Sequence, residues 1–260
     1  MSILDYNINH FLFAVMMSIR LSALFMSLPV FSEVKIGIVV TVILPVGIAF
    51  LIAPAVSYDI MPLMTSGVIN IMLAVCSEIL VGVIMGFSVS VVMDMATMVG
   101  HLTGMNAGLM MATFFDPNLG QLSLLSVVLR NFFLVVFFMF NIHHALILML
   151  VGSYDAIPVG AGFMSFTEVL PGLVKLFAAV FFMSFRLVLP VIVIIMLSHL
   201  TMGIVQITAP QMNIYFNAAI TLNIVIALVF FAVSIPTIMN YFGISLKHLE
   251  DYLSSFLVVA

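Results

Sequence analysis

Val205-Gln206-Ile207-Thr208-Ala209-Pro210-Gln211-Met212-Asn213-Ile214-Tyr215-Phe216 interrupts two of the most apolar stretches in the chain. Pro210 has no amide hydrogen to donate and disfavours a helical conformation at Ala209, so the spacing predicts that a helix arriving from Leu173 stops here. Gln206, Thr208, Gln211 and Asn213 crowd four hydrogen-bonding side chains into the turn. A plain interhelical connection needs only turn chemistry. The stretch therefore reads as the tip of a helical hairpin with more polar equipment than a tip requires.

Working outward, the composition says where such a hairpin can live. Hydrophobic residues make up 65% of the 260 positions and charged residues 6%, against roughly 45–50% and 25% in soluble domains. A chain of this kind cannot cover itself with a polar surface and belongs in a bilayer or inside a hydrophobic assembly. A net charge of -4 with six Lys plus Arg leaves no basic patch, and nucleic acid is not expected as a partner. The single Cys76 excludes an internal disulfide and argues against a metal cluster. Met1 to His10 carries Asp5 but no Lys or Arg, so a cleavable signal peptide is not expected and the first apolar segment should persist.

Six apolar segments follow: Ile8 to Leu28, Val34 to Ala55, Leu63 to Val99, Leu122 to Val151, Leu173 to Ile207 and Ile214 to Phe242. A short amphipathic tail, Ser245 to Val259, comes last. The fold class expected is all-α, a polytopic membrane-associated protein whose long apolar helices fold as hairpins. Leu63 to Val99, about 37 residues, would reach roughly 55 Å as one helix, against a hydrocarbon core of roughly 30 Å. Leu173 to Ile207 raises the same difficulty, with Pro190 as a natural kink and Ser184, Ser198 and Thr201 available to satisfy freed carbonyls. Helices that overshoot a bilayer in this way point to a partner-rich assembly.

Within the third segment Glu78, Gly82, Gly86, Ser90 and Asp94 recur every four positions and form a ridge. Gly82 and Gly86 are expected to let another helix approach closely, while Glu78 and Asp94 must find a partner or a wet cavity. Arg20, Glu78, Asp94, Arg130 and Arg186 are expected to form polar contacts between helices or subunits. Gly100, Gly104 and Gly108, interspersed with His101, Thr103 and Asn106, read as a glycine-rich bend. The loop that follows is too apolar at Leu109 to Phe115 to float in water. Met105, Met110, Met111, Phe114 and Phe115 would make a deformable seal, a plug, between long helices. His143 and His144 point about 100° apart on a helix and do not suit one ion. Gly152 to Gly172, with Pro158 and Pro171, reads as a linker.

These residues resemble a known pattern. Pro210-Gln211-Met212-Asn213 is similar to a signature near the C-terminal end of the R/T family of type III secretion export-gate proteins, flagellar and injectisome. Arg20, Ala23, Phe25, Pro29 and Phe31 look like that family's first-helix pattern, and Glu78, Gly82, Gly86 and Phe87, then Gly100, Gly104, Gly108, Asp116 and Pro117, look like its central block. Asn141-Ile142-His143-His144 matches except that Ile142 stands where glycine is usual. Ser153-Tyr154 and Ile157-Pro158 follow at the expected distance. Ala218 and Asn223 depart from an expected glycine and an often-seen lysine, which bears on the packing of the last hairpin and on flagellar against injectisome assignment.

The resemblance implies one R subunit joined to several P and Q subunits in a helical, ring-like gate of the bacterial inner membrane, within the basal body. Residues 1–170 would be a P-like part with its plug loop near 100–121, and 171–260 a Q-like hairpin and tail. It further implies neighbours of the B/U-type switch subunit and A/V-type export ring, unfolded secreted proteins as substrates, and a Pro210 tip near the cytoplasmic entrance. No cofactor is implied. A rival reading is a small ion-coupled transporter using Glu78, Asp94, Arg130 and Arg186. No hydrolase, metalloprotease or phosphate-loop motif is present, and no catalysis is expected.

Overall fold

A computed structural model describes residues 3–29, 38–56, 60, 63, 67–110, 123–208 and 219–258. Seven helices are described: α1 (Ile3–Ser27), α2 (Ile38–Ile52), α3 (Val68–Asn106), α4 (Leu124–Met139), α5 (Ile142–Ala156), α6 (Gly162–Thr208) and α7 (Ile220–Val258). A 3-10 turn, Ala53–Ala55, follows α2, and the described residues contain no strand. The protein is all-α. Among the described residues, four helices are long and apolar enough to cross a membrane, or five spans if the bent pair α4 and α5 counts as one.

Several expected boundaries move, each for a local reason. The apolar run from Leu122 to Val151 is two helices bent by 64°. Asn141 adopts a left-handed conformation with φ 53°, which asparagine tolerates better than other non-glycine residues, and its carbonyl then starts α5 by accepting from His144 N at 2.9 Å. Gly100 and Gly104 do not bend the chain: α3 runs through both to Asn106, and Gly108, at φ +83°, supplies the left-handed residue that ends it. The linker expected over Gly152 to Gly172 shrinks to five residues, 157–161, between α5 and α6. The segment expected from Val34 to Ala55 contributes only a 15-residue helix, short of a full span. The amphipathic tail is no separate element, because α7 continues from the apolar segment to Val258.

α6, at 47 residues, stays helical through Pro190, which leaves the carbonyl of Arg186 without its usual donor. The expected rescue does not occur as drawn. Ser184 donates to Val180 O at 2.8 Å and Thr201 to Leu197 O at 2.8 Å, while Ser198 Oγ has no partner among the described residues.

The chain forms two compact units, one of residues 1–91, 138–176 and 248–260, the other of 92–137 and 177–247. In the first, Phe13, Met17, Leu21 and Leu24 of α1 are buried together with Met85 of α3 and Leu150 of α5. Phe13 meets Tyr154 edge-on at 5.1 Å, and Asn9 Oδ1 accepts from Ile60 N at 2.9 Å, tying Ile60 to α1. In the second, Leu129, Phe133 and Phe137 of α4 are buried with Val191 and Ile195 of α6, and Phe133 meets Phe242 of α7 at 4.5 Å. These cores use a minority of the apolar surface. In an 18-residue apolar stretch of each helix only 33% of the residues in α3 and α6 and 17% of those in α7 are buried within the chain, so lipid or other proteins must cover the rest.

Candidate functional site

The most polar construction in the first unit grows from Arg20, which α1 carries at 0% exposure. Its Nε lies 2.6 Å from Glu78 Oε2 and its Nη2 2.9 Å from Oε1, a two-pronged pairing in which both partners are fully buried. Nη1 donates to Ser153 Oγ at 2.7 Å and Nη2 also reaches Ile157 O at 3.3 Å. Tyr154 closes the arrangement twice over: its hydroxyl donates to Glu78 Oε2 at 3.2 Å, and its ring lies 3.8 Å from the guanidinium carbon. The planar guanidinium fork matches a carboxylate in a way an ammonium cannot. An unmet charge at such depth would cost several kcal/mol on the order of the usual desolvation penalty, and here neither charge is left unmet.

Glycine makes the pairing reachable. A Cβ at Gly82 would collide with the Arg20 carbonyl oxygen and lie 2.8 Å from Ala23 Cβ, and one at Gly86 would lie 2.6 Å from Leu24 O and from Ser27 Cβ. The backbones of α1 and α3 are therefore in contact, which brings Glu78 one turn away onto the guanidinium. Elsewhere in this unit Tyr252 lies over Gly172, where a Cβ would sit 2.5 Å from the ring. Burial pushes its phenol up to about 12, against a smaller opposing effect of its hydrogen bond with Ser88.

The second unit holds Asp94 and Arg130, the guanidinium acting electrostatically on the carboxylate. Here α4 lies against the end of α3: a Cβ at Gly100 would lie 2.5 Å from Ser126 Cα, and one at Gly104 would lie 2.6 Å from Ser123 Cβ. Ser123 Oγ donates to Gly100 O at 3.0 Å. Continuing away from those contacts, four residues along α4 lead from Ser126 to Arg130 and six back along α3 lead from Gly100 to Asp94, on the same side of the helix pair. Deeper in the unit, Asn223 is 1% exposed and its amide nitrogen lies 3.4 Å from His199 Nε2. Ala107, Val191, Ile195 and Ala227 form a closed apolar cluster, with Leu109, Ile226 and Phe230 packed against it.

Of the residues singled out from sequence, Arg20 and Glu78 share one centre and Asp94 and Arg130 another, while Arg186 stands exposed on α6. Met105 is exposed and Met110 half-buried; Met111, Phe114, Phe115, Pro210, Gln211, Met212 and Asn213 lie outside the described residues. Sequence reasoning did not find Ser153, Tyr154 and Ile157 as partners of Arg20, nor Ser123 and Ser126 as neighbours of the glycines. The only available signal was the four-residue glycine spacing, which says that something comes close but not what. No group of three or more His, Cys, Asp or Glu side chains among the described residues could hold a metal ion.

Comparison with known proteins follows the same lines. The family described as bacterial export proteins, family 1, matches residues 11–249. The chain is similar to the flagellar biosynthetic protein FliR of Buchnera aphidicola subsp. Schizaphis graminum, at 28% identity over 85% of this chain and 86% of that protein. It is similar to the protein of the same name from Buchnera aphidicola subsp. Acyrthosiphon pisum, at 28% over 61% and 59% of the two chains. To that of Escherichia coli K12 it is 30% identical over 50% of each. The aligned portion thus spans between half and six-sevenths of these relatives.

Proposed function

Because the chain belongs to the bacterial export proteins of family 1, we propose that it is a non-enzymatic, multi-pass inner-membrane subunit of a flagellar type III export gate. The observation that carries the reading is the family match along residues 11–249 in a chain whose long apolar helices bury so little of themselves. The helix faces left uncovered within the chain are available to lipid and to neighbouring subunits.

In this reading the chain assembles with P- and Q-type subunits around a conduit for unfolded flagellar proteins, next to the B/U-type switch subunit and the A/V-type ring. Residues 1–170 serve as the P-like part and 171–260 as the Q-like hairpin. Met105 in the last turn of α3, together with Met110, Met111, Phe114 and Phe115 beyond it, plugs the conduit, and the Pro210–Asn213 tip meets the cytoplasmic entrance. The flagellar names of the relatives favour this assignment over an injectisome counterpart. The transporter reading gains nothing from Glu78, whose two oxygens are occupied by Arg20 and Tyr154 at 0% exposure, leaving no open place for a solute or ion.

The test is co-expression with P- and Q-type subunits followed by mass measurement of the purified membrane complex. Recovery of one hetero-oligomer, with the isolated chain aggregating, is the expected result; a stable solitary chain that moves a small solute overturns it. Deleting Leu109 to Phe115 in the assembled gate should let ions leak, and an unchanged conductance removes the plug.

A further inference from the structure

We infer that the exposed face of α6 around Arg186 receives a helix of another protein, one that carries a carboxylate opposite the guanidinium. The inference rests on the reading of this chain as one subunit of a larger assembly, and it names the chemistry of one neighbour.

From Phe177 onward α6 has two unlike sides. Val180, Ser184, Leu187 and Val191 are buried within the second unit, and Phe182, Arg186, Leu189 and Val193 stand exposed on the opposite side. Exposed apolar side chains on such a helix can simply face lipid. Arg186 cannot be accounted for in that way. It lies sixteen residues after the start of the apolar span Leu170–Thr208 and twenty-two before its end, roughly 24 and 33 Å of helix, each more than half of a hydrocarbon core of about 30 Å. No hydrogen bond or ion pair joins its side chain to another of the described residues.

A second unmet group sits at the same residue. Pro190 has no amide hydrogen, so the Arg186 carbonyl lacks its usual donor from the next turn, and the Ser184 hydroxyl is committed to Val180 O at 2.8 Å. A long side chain can bend toward the headgroups; a backbone carbonyl in mid-helix cannot. The charge then names the occupant. A guanidinium in an apolar surround is best met by the two oxygens of a carboxylate, the solution this chain already uses at Arg20 and Glu78. The carboxylates within its four long apolar spans are both engaged, Glu78 by Arg20 and Asp94 by the charge of Arg130. A second copy of the chain therefore has none to offer, and the occupant is a different protein. Its helix presents Asp or Glu to Arg186 and, within a turn, a hydroxyl or amide that donates to the freed carbonyl, with Phe182 and Leu189 as the apolar anchors on either side.

Benzoylphenylalanine placed in turn at Phe182 and at Leu189 of the complete gate tests this with Arg186 itself unaltered. Irradiation should cross-link both positions to one helix of another subunit, and mass spectrometry of the linked peptide should find an Asp or Glu within a turn of the linked residue. Cross-links confined to lipid mean that the guanidinium reaches the headgroups, and they overturn the inference, as do links to a second copy of this chain or to a helix without an acid. Charge exchange supplies an independent measurement. Arg186→Glu should lower the yield of intact hetero-oligomer several-fold, and Arg in place of the neighbour's acid should restore it; no recovery in the exchanged pair overturns the ion pair. Where Arg186→Glu leaves no folded chain, the cross-links decide. A chain that never enters a hetero-oligomer sinks the subunit reading and this contact with it, whereas an assembled gate with lipid alone at Phe182 and Leu189 sinks only the contact.

Discussion

Replacing Glu78 by Leu removes both oxygens from Arg20 and the acceptor from Tyr154 in one step. The guanidinium keeps Ser153 Oγ at 2.7 Å and Ile157 O at 3.3 Å but remains charged with no counter-charge, a loss of about 3–5 kcal/mol for breaking one side of a buried pair. Arg20→Met strands the carboxylate instead and should cost a similar amount. The double variant Arg20→Met/Glu78→Leu leaves neither charge of the pair buried, so its cost should fall to roughly 1–3 kcal/mol, part of it from the Tyr154 hydroxyl losing Glu78 as an acceptor. Adding Tyr154→Phe should recover part of that. The expected signature is strong non-additivity: the double variant is less harmful than either single one. Stability is read from denaturant titration of the purified gate complex, scored by retention of the hetero-oligomer on size exclusion. If the double variant costs as much as the two single variants summed, the pair is not acting as a unit and the description of this centre is wrong.

Two more expectations concern the backbone and one buried phenol. Gly82→Ala should destabilise the complex by roughly 1–3 kcal/mol, because the new methyl meets the Arg20 carbonyl and Ala23. Gly152→Ala, at a helical position with nothing within 4 Å, should be neutral or stabilise by about 0.4–1 kcal/mol. The same titration ranks both, and equal effects would remove the close-approach argument. For Tyr252, the folded phenol holds its proton up to about 12 while the ordinary value is 10.0. Below the ordinary value both states are protonated and stability is flat in this group. Between the two values the unfolded state gives up the proton first, so stability falls as pH rises. Tyr252→Phe should abolish that fall, and a thermal scan at rising pH with an unaltered slope in the variant would contradict it.

The helical class and the membrane-type character were legible because they are written in composition and in run length, which need no partner to be read. What the runs could not show was where a helix breaks inside an apolar stretch. Asn141 interrupts one by a single dihedral angle, and hydropathy does not register a dihedral. Nor could spacing tell apart the two uses of glycine. Gly100 and Gly104 read as a bend because their neighbours are polar, yet they accommodate Ser126 in the first turn of α4 and Ser123 just before it. The same limit applies at the buried pair: Arg20 and Glu78 were each conspicuous as charges in oil, but Ser153 lies 133 positions from Arg20, and no local pattern encodes a contact at that separation.

That separation also governs how the protein can be made. Arg20 leaves the ribosome 58 residues before Glu78, which at about 5–20 residues per second is roughly 3–12 s during which the first helix carries a lone cation toward the bilayer. At the helix centre such a charge costs about 2.5–3.5 kcal/mol on insertion scales, so α1 is expected to wait near the headgroups, its arginine reaching for water, until α3 is delivered. Only once Ser153 and Ile157 have also been threaded can the nascent chain retire that cation from the lipid surface, making the first unit one whose N-terminal helix is among the last to settle.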